Sequence, residues 1–118
     1  MAYIYMLRCE DGSLYTGITK NMRRRMREHY YKKKSGAKYT RSRQIQSLEM
    51  VWETEEWSYA AKLEFRIKQL DRPHKEELIA DPQRVREIAG LCEESISYEP
   101  HPEWELHMYL EDEQEQEV

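Results

Sequence analysis

The strongest structural signal is AYIYMLRCEDGSLYTGIT, at residues 2–19 of this 118-residue chain. Residues 2–9 and residues 14–19 are both rich in the aromatic, aliphatic and β-branched side chains that favour strands. The Asp11-Gly12 pair between them favours a tight turn, because glycine readily adopts the positive φ that such turns require. The stretch therefore predicts a β-hairpin.

Three helices and one more strand are predicted after the hairpin. Asn21 is a suitable N-cap residue, and Pro73 suits the first turn of a helix. The predicted elements are a helix over residues 22–34, a polar loop over 36–44, a strand over 45–53, a helix over 59–71 that Ser58 caps, and a short helix over 74–80. The order β-β-α-β-α-α predicts the α+β class, with a small three-stranded antiparallel sheet flanked by helices.

The character of the chain changes near residue 80. Residues 1–80 are predicted to form one domain, and residues 81–118 an acidic C-terminal extension that is partly disordered, because its last part is charged and lacks apolar residues. Within the extension, residues 83–89 are compatible with a short helix. The alternation of apolar side chains over residues 103–110 indicates a strand.

Charge is divided at the same place. The net charge of −4 on its own argues against a nucleic-acid partner. Residues 1–80, however, contain 17 Lys and Arg against 11 Asp and Glu, whereas residues 81–118 contain 2 against 12. The predicted domain therefore favours an anionic partner. The acidic tail is expected to aid solubility, to meet a protein partner, or to compete with DNA for the basic surface. In the last case, removing residues 91–118 tightens DNA binding at low salt.

Several protein classes are disfavoured. The apolar runs are too short for a membrane-spanning helix, and the start of the chain lacks the basic region of a secretory signal. Cys9 and Cys92 are far apart in the sequence and form no CxxC motif. This usage predicts a reducing, cytoplasmic location and no zinc site.

Basic residues are concentrated in residues 20–43, where eleven Lys and Arg are opposed only by Glu28. Tyrosines lie among them, a combination that suits phosphate neutralisation with stacking, although a solvated helix face is the alternative. Gly17 is also a candidate for nucleic-acid binding, because a glycine inside a strand often marks the close approach of a ligand. The candidate nucleic-acid-binding residues are Gly17, Lys20, Arg24, Lys32, Lys33, Lys34, Lys38, Tyr39, Arg41 and Arg43.

Two tyrosines on the hairpin are candidates for chemistry. Tyr5 and Tyr15 lie on the two strands at odd-numbered positions, as do Tyr3 and Gly17, so within each strand they project to one face. Cross-strand aromatic packing is the alternative explanation.

The helices supply three more candidates. Arg25 and His29 are four residues apart and share one edge of the first helix, although a hydrogen-bonded boundary histidine is the alternative for His29. Glu64 lies beside the apolar stripe of the second helix. A carboxylate there requires either a metal ion or a salt bridge with Arg25 or Lys68.

The ordered set Tyr3-Ile4-Tyr5, Tyr15-Thr16-Gly17, Arg25, His29 and Glu64 resembles the GIY-YIG nuclease superfamily. It is most similar to the small single-domain bacterial branch, which is similar to the nuclease domain of the eukaryotic structure-specific nuclease subunit. The resemblance covers about residues 2–79. The sequence departs from the family name at Tyr3, which replaces glycine, and at Thr16, which replaces isoleucine.

This resemblance implies an endonuclease that hydrolyses DNA phosphodiester bonds in DNA repair or recombination, with one Mg²⁺ or Mn²⁺ ion. By analogy, Glu64 is the protein ligand of the ion, and Tyr15 takes the proton from the attacking water. Arg25 stabilises charge on the phosphoryl oxygens, and Tyr5 and His29 orient the reacting groups. The alternatives are a non-catalytic nucleic-acid-binding module on the same fold and an interaction protein that uses its acidic tail.

Overall fold

The computed structural model describes residues 1–31 and 43–111. The strands are β1 (Ala2–Cys9), β2 (Leu14–Thr19), β3 (Ile45–Thr54) and β4 (Glu99–Pro100), and the helices are α1 (Met22–Tyr30), α2 (Trp57–Gln69), α3 (Arg72–Ala80), α4 (Val85–Ala89) and α5 (His107–Leu110), with a 3-10 helix over Pro82–Arg84. The predicted α+β class and antiparallel sheet flanked by helices are confirmed.

The sheet is built on the predicted hairpin. β1 and β2 pair antiparallel, and the turn between them contains Gly12 at a φ of 85°. The Gly12 amide donates to the Cys9 carbonyl at 2.8 Å, which closes the turn. The strand order is β2-β1-β3-β4. β1 therefore lies inside the sheet, and each of its two neighbours fixes its register.

The two faces of the sheet are both covered. One face packs against α2, α3 and α4 and includes the buried side chains of Ile4, Met6 and Trp52. The other face packs against α1 and includes Tyr5 and Leu7. Successive residues of β1 thus contribute to opposite cores, as the two-residue period of a strand requires. This alternation places Tyr5 under α1.

The predicted number of three strands is wrong, because β4 adds a fourth. It pairs with β3 through only two residue pairs, Trp52 with Pro100 and Glu53 with Glu99. A strand of two residues that contains proline carries no periodicity that could be detected in the sequence.

The predicted strand over residues 103–110 is also wrong, because α5 occupies its last part. Leu106 and Leu110 are four residues apart and both pack on the second core, a spacing that fits one face of a helix. The apolar alternation was therefore ambiguous between the two periods.

Several helix boundaries differ from the prediction, among them the end of α2, at Gln69 rather than residue 71, and the start of α3, at Arg72 rather than residue 74. α1 begins where predicted, with Asn21 Oδ1 accepting from the Arg24 amide at 3.0 Å, but it ends at Tyr30. The prediction had extended it over residues 32–34, which lie outside the described residues. Ser58 does not cap α2, because the helix begins two residues earlier than predicted, at Trp57, with Glu56 in the N-cap position. Ser58 therefore lies in the first turn.

The described part of the C-terminal extension, residues 81–111, contributes to both cores. Val85, Ile96 and Tyr98 are buried in the core beneath α2, and Leu106 is buried in the core beneath α1. The predicted disorder at the end of the chain falls largely on residues 112–118, which lie outside the described residues. In the described residues, no helix is long and apolar enough to cross a membrane.

Candidate active site

Gly17 lies at the centre of the candidate site, where the absence of a side chain leaves room for two tyrosine rings. It pairs with Tyr5 across the hairpin. A Cβ atom at this position would lie 2.5 Å from Tyr5 Oη, which is closer than real Cβ contacts allow, and 3.0 Å from Tyr15 Cε2, which is a tight contact. The two tyrosine rings can therefore approach each other across β1 and β2 only because position 17 has no side chain. The packing of the two tyrosine rings therefore explains why residue 17 is glycine. The predicted role of Gly17 in binding nucleic acid stays a prediction.

Three aromatic rings converge above Gly17. His29, from α1, is 1% exposed, and its ring lies 5.5 Å from the ring of Tyr5 and 5.4 Å from that of Tyr15. The distance between Tyr5 Oη and His29 Nε2 is 2.7 Å. The two hairpin tyrosines thus meet the histidine that was predicted to lie on an edge of α1. Both alternatives considered from the sequence also occur here, because Tyr5 packs against Tyr15 across the strands and His29 is hydrogen-bonded.

Burial sets the protonation of this cluster. Burial, followed by the nearby positive charge of Arg25, lowers the pKa of His29 to about 4, so its ring is neutral at pH 7. Burial is also the main cause that raises the pKa of Tyr5, which keeps its proton. Arg25 Nε donates to Tyr5 Oη at 3.4 Å. At pH 7 the cluster therefore contains a neutral imidazole hydrogen-bonded to a protonated phenol.

Arg25 connects this buried cluster to an open cleft. Burial alone would lower the pKa of the Arg25 guanidinium, but its contacts with Tyr5, Glu28 and Tyr15 raise it, so the group remains charged. Its Nη1 lies 3.3 Å from Glu28 Oε1. The cleft has a volume of about 640 Å³, and its described lining consists of Ile18, Thr19, Lys20, Arg24, Arg25, Glu28 and Trp57.

Glu64 lies on α2 close to the same cluster. Its negative charge is the smallest of the causes that raise the pKa of Tyr5, after burial and the interaction with Tyr15. Its side chain is 23% exposed and forms an ion pair with Lys68, with 3.3 Å between Nζ and Oε2. The salt bridge to Lys68 that the sequence allowed is therefore present. A partly exposed carboxylate that is paired with a lysine can still accept a cation that keeps most of its water ligands.

The predicted nucleic-acid-binding residues are distributed unequally. Lys20 and Arg24 line the cleft. Arg43 instead forms an ion pair with Asp11, with 3.3 Å between Nε and Oδ2, at the hairpin turn and thus at the end of β2 opposite Lys20. The other six predicted residues lie outside the described residues: Lys32, Lys33, Lys34, Lys38, Tyr39 and Arg41.

Trp57 lies in the cleft but is not among the site residues predicted from the sequence. It is the first residue of α2 and lines the cleft opposite α1. An aromatic residue seven positions before Glu64 lies near the same face of a helix, and this spacing was the available signal.

A second cluster was also missed. Ligand atoms of Glu53, Glu99 and His101 lie within 4.8 Å of one another beside β4. Burial lowers the pKa of His101, but hydrogen bonds with Glu103 and Glu53 outweigh it and raise the pKa. Both ring nitrogens lie 2.9 Å from a carboxylate oxygen, an arrangement that a protonated imidazole satisfies without a metal ion.

Comparison with known proteins identifies the family. The GIY-YIG catalytic domain matches residues 1–77. A UPF0213 protein of Fusobacterium nucleatum is 45% identical over 90 residues, which are 75% of this chain and 88% of that protein. A UPF0213 protein of Yersinia pestis is 41% identical over 83 residues, which are 70% of this chain and 85% of that protein. The solution NMR structure of a UPF0213 protein from Bacillus halodurans is 38% identical, covers 72% of this chain and 93% of that chain, and has a TM-score of 0.45.

The fold and the cluster around Gly17 thus occur in a chain that belongs to the GIY-YIG family of nuclease-type catalytic domains. The resemblance stated from Tyr5, Tyr15, Arg25, His29 and Glu64 is confirmed at the level of the family. The family match ends at residue 77, so the extension after residue 80 lies outside it.

Proposed function

We propose that this chain is a divalent-metal-dependent endonuclease that hydrolyses phosphodiester bonds of DNA. The observation that carries the proposal is the convergence of Tyr5, Tyr15, Arg25 and His29 around Gly17, beside the carboxylate of Glu64. These groups could supply a proton acceptor, a phosphate-binding cation and a metal ligand within one site.

Glu64 would hold one Mg²⁺ or Mn²⁺ ion. Its partial exposure fits a cation bound through one carboxylate, with water and phosphate oxygens as the other ligands. When bound, the ion would polarise the phosphate and stabilise the departing 3′ oxygen. Lys68, which pairs with Glu64, would have to share or release the carboxylate.

Tyr15 would accept the proton of the attacking water. Tyr5 is unsuited to that role, because it is fully buried and its raised pKa keeps it protonated. Tyr15 is half-buried and lies at the edge of the same cluster. The positive charge of Arg25 would stabilise the negative charge that forms on Tyr15 during proton transfer.

Arg25 would bind the scissile phosphate from the wall of the cleft. A guanidinium presents two donors to a phosphate in one plane, and partial burial strengthens that interaction. Tyr5 and His29 would act as positioning residues, because Tyr5 links Arg25 to the buried imidazole.

The test is a cleavage assay on branched, nicked, single-stranded and duplex DNA, with Mg²⁺ or Mn²⁺ and with EDTA. Glu64→Gln should abolish metal-dependent cleavage, and Tyr15→Phe should slow it by about 10²- to 10⁴-fold. The matched controls Glu94→Gln and Tyr59→Phe, at an exposed glutamate and a half-buried tyrosine away from the cluster, should cut like wild type. Equal cleavage by all four variants would refute the proposed site.

The same assay addresses the alternative and the biological setting. DNA binding with a steep salt dependence and no cleavage would indicate the non-catalytic binding module. A preference for branched or nicked DNA would support a role in DNA repair or recombination. We propose a cytoplasmic location, where the free thiols of Cys9 and Cys92 would stay reduced.

The acidic tail is proposed to compete with DNA. Arg27 Nη1 donates to the Leu110 carbonyl at 2.9 Å, and Arg23 Nη2 donates to the Glu111 carbonyl at 2.7 Å. These bonds hold residue 111 against α1, the helix that also carries Arg24 and Arg25. Residues 112–118 follow Glu111 in the sequence and contain four acidic side chains. Solubility alone, or a protein partner, remain the competing roles for the tail.

A further inference from the structure

Trp57 is an exposed aromatic residue that the proposed chemistry does not use. Its side chain is 44% exposed, although it lies at the start of α2 in the wall of a concave cleft. A single exposed tryptophan on a convex surface needs no explanation. An indole in a cleft that Arg24 and Arg25 also line is a different case, because an aromatic ring and cationic groups then share one cleft.

The cleft combines a stacking surface with cations. Lys20 Nζ lies over one face of the Trp57 ring, 5.6 Å from its centroid, and Arg24 and Arg25 line the cleft from α1. Ile18 adds a half-buried apolar side chain. The volume of about 640 Å³ falls within the roughly 300–1,000 Å³ that is typical of small-ligand sites. An aromatic face beside basic groups is the arrangement by which proteins hold single-stranded nucleic acid.

We infer that Trp57 forms a nucleobase-stacking subsite for an unpaired base of DNA, next to the phosphate that Arg25 would bind. The inference rests on the proposed function and specifies its substrate class. Inside a duplex both faces of a base are covered by its neighbours. Only an unstacked base presents a free face to the indole. The subsite therefore selects DNA with a single-stranded or locally opened segment beside the cut.

The test measures binding in the Glu64→Gln background, so that cleavage does not consume the DNA. Fluorescently labelled single-stranded oligonucleotides and a blunt duplex of the same sequence are titrated by anisotropy. Trp57→Ala should weaken single-strand binding about 5- to 140-fold, the range measured for loss of one base-stacking contact. Trp57→Phe should retain most of the affinity. Phe65→Ala is the matched control, since Phe65 lies on the same helix, is 63% exposed and lies outside the described lining of the cleft.

A second measurement locates the base. A single abasic site is moved along the oligonucleotide, and one position should reproduce the loss caused by Trp57→Ala. In the Trp57→Ala protein that position should have no further effect, because the two changes remove the same contact. Circular dichroism should show that Trp57→Ala remains folded.

Unchanged single-strand affinity in Trp57→Ala, or an equal loss for single-stranded and duplex DNA without any sensitive abasic position, would overturn the inference. Its failure is distinguishable from failure of the nuclease proposal. Trp57-dependent binding by a wild-type protein that never cuts would refute only the nuclease. Metal-dependent cleavage that is insensitive to Trp57 would refute only the subsite.

Discussion

Replacement of Gly17 by alanine tests the packing of the site most severely. The new Cβ would lie 2.5 Å from Tyr5 Oη and 2.6 Å from Tyr5 Cζ. The Tyr5 ring cannot move away freely, because it is fully buried and its hydroxyl is bonded to His29 at 2.7 Å. The substitution must therefore displace β2 or break the bond between Tyr5 and His29.

Two costs define the expected magnitude. Overpacking a well-packed core typically costs about 1–3 kcal/mol. Leaving a buried hydroxyl or imidazole nitrogen without a partner costs about 1–3 kcal/mol. The protein would adopt whichever of the two changes, displacement of β2 or loss of the bond between Tyr5 and His29, costs less free energy. We therefore expect Gly17→Ala to lower the free energy of unfolding by about 1–3 kcal/mol. Activity should fall further, about 100-fold, because Tyr5 and Tyr15 move relative to Arg25.

The assay combines chemical denaturation with DNA cleavage, and Gly90→Ala is the control. Gly90 has a φ of 71° and nothing within 4 Å of an added Cβ, so alanine there introduces backbone strain without a clash. That strain costs about 1 kcal/mol. Gly90→Ala should lose stability and keep its activity per folded molecule. A Gly17→Ala protein with wild-type stability and activity would refute the reasoning.

Two further predictions concern pH and the tail. Unfolded His29 takes up a proton near pH 6.5 and folded His29 only near pH 4, so the unfolded state binds more protons between these values. The free energy of unfolding should fall by up to about 3 kcal/mol as pH drops through this window, and His29→Gln should flatten that part of the profile relative to wild type. Deletion of residues 112–118 should tighten DNA binding at low salt, with the loss of this difference at high salt. Tail variants with Gln and Asn in place of Glu and Asp should behave like the deletion, and unchanged binding in both would leave the tail a solubilising role.

The structure changes how the tail should be tested. The sequence alone suggests deletion of residues 91–118 as the test of competition between the tail and DNA. Ile96 and Tyr98 are buried in one core and Leu106 in the other. That deletion would therefore unfold the protein as well as remove charge. Deletion after Glu111 leaves these side chains in place.

Local chemistry made part of the molecule predictable. Asp11-Gly12 specified the hairpin, because few other residues adopt the backbone of its turn. The odd-numbered positions of Tyr5, Tyr15 and Gly17 predicted a common face within each strand, and the pairing of Tyr5 with Gly17 brings the faces of the two strands together. Arg25 and His29 followed from helical spacing alone, and α1 brings them over the same face.

Other features depended on contacts between distant residues. β4 exists because Glu99 and Pro100 meet the edge of β3, and a pair of residues has no period of its own. The sequence does not decide whether Glu64 forms its ion pair with Arg25 or with Lys68, because the positions of both residues are compatible with a contact. The cleft around Trp57 forms only when α2 is packed beside β2 and α1, so composition and spacing could not reveal it.

The rate of DNA cleavage by Tyr15→Phe, measured beside wild type with saturating Mg²⁺, tests the central claim most directly. The substitution removes one hydroxyl from a half-buried ring and keeps its packing against Tyr5 and His29. The proposed role as proton acceptor predicts a rate about 10²- to 10⁴-fold lower, the usual contribution of general base catalysis. A Tyr15→Phe protein that cleaves DNA at the wild-type rate would contradict the account.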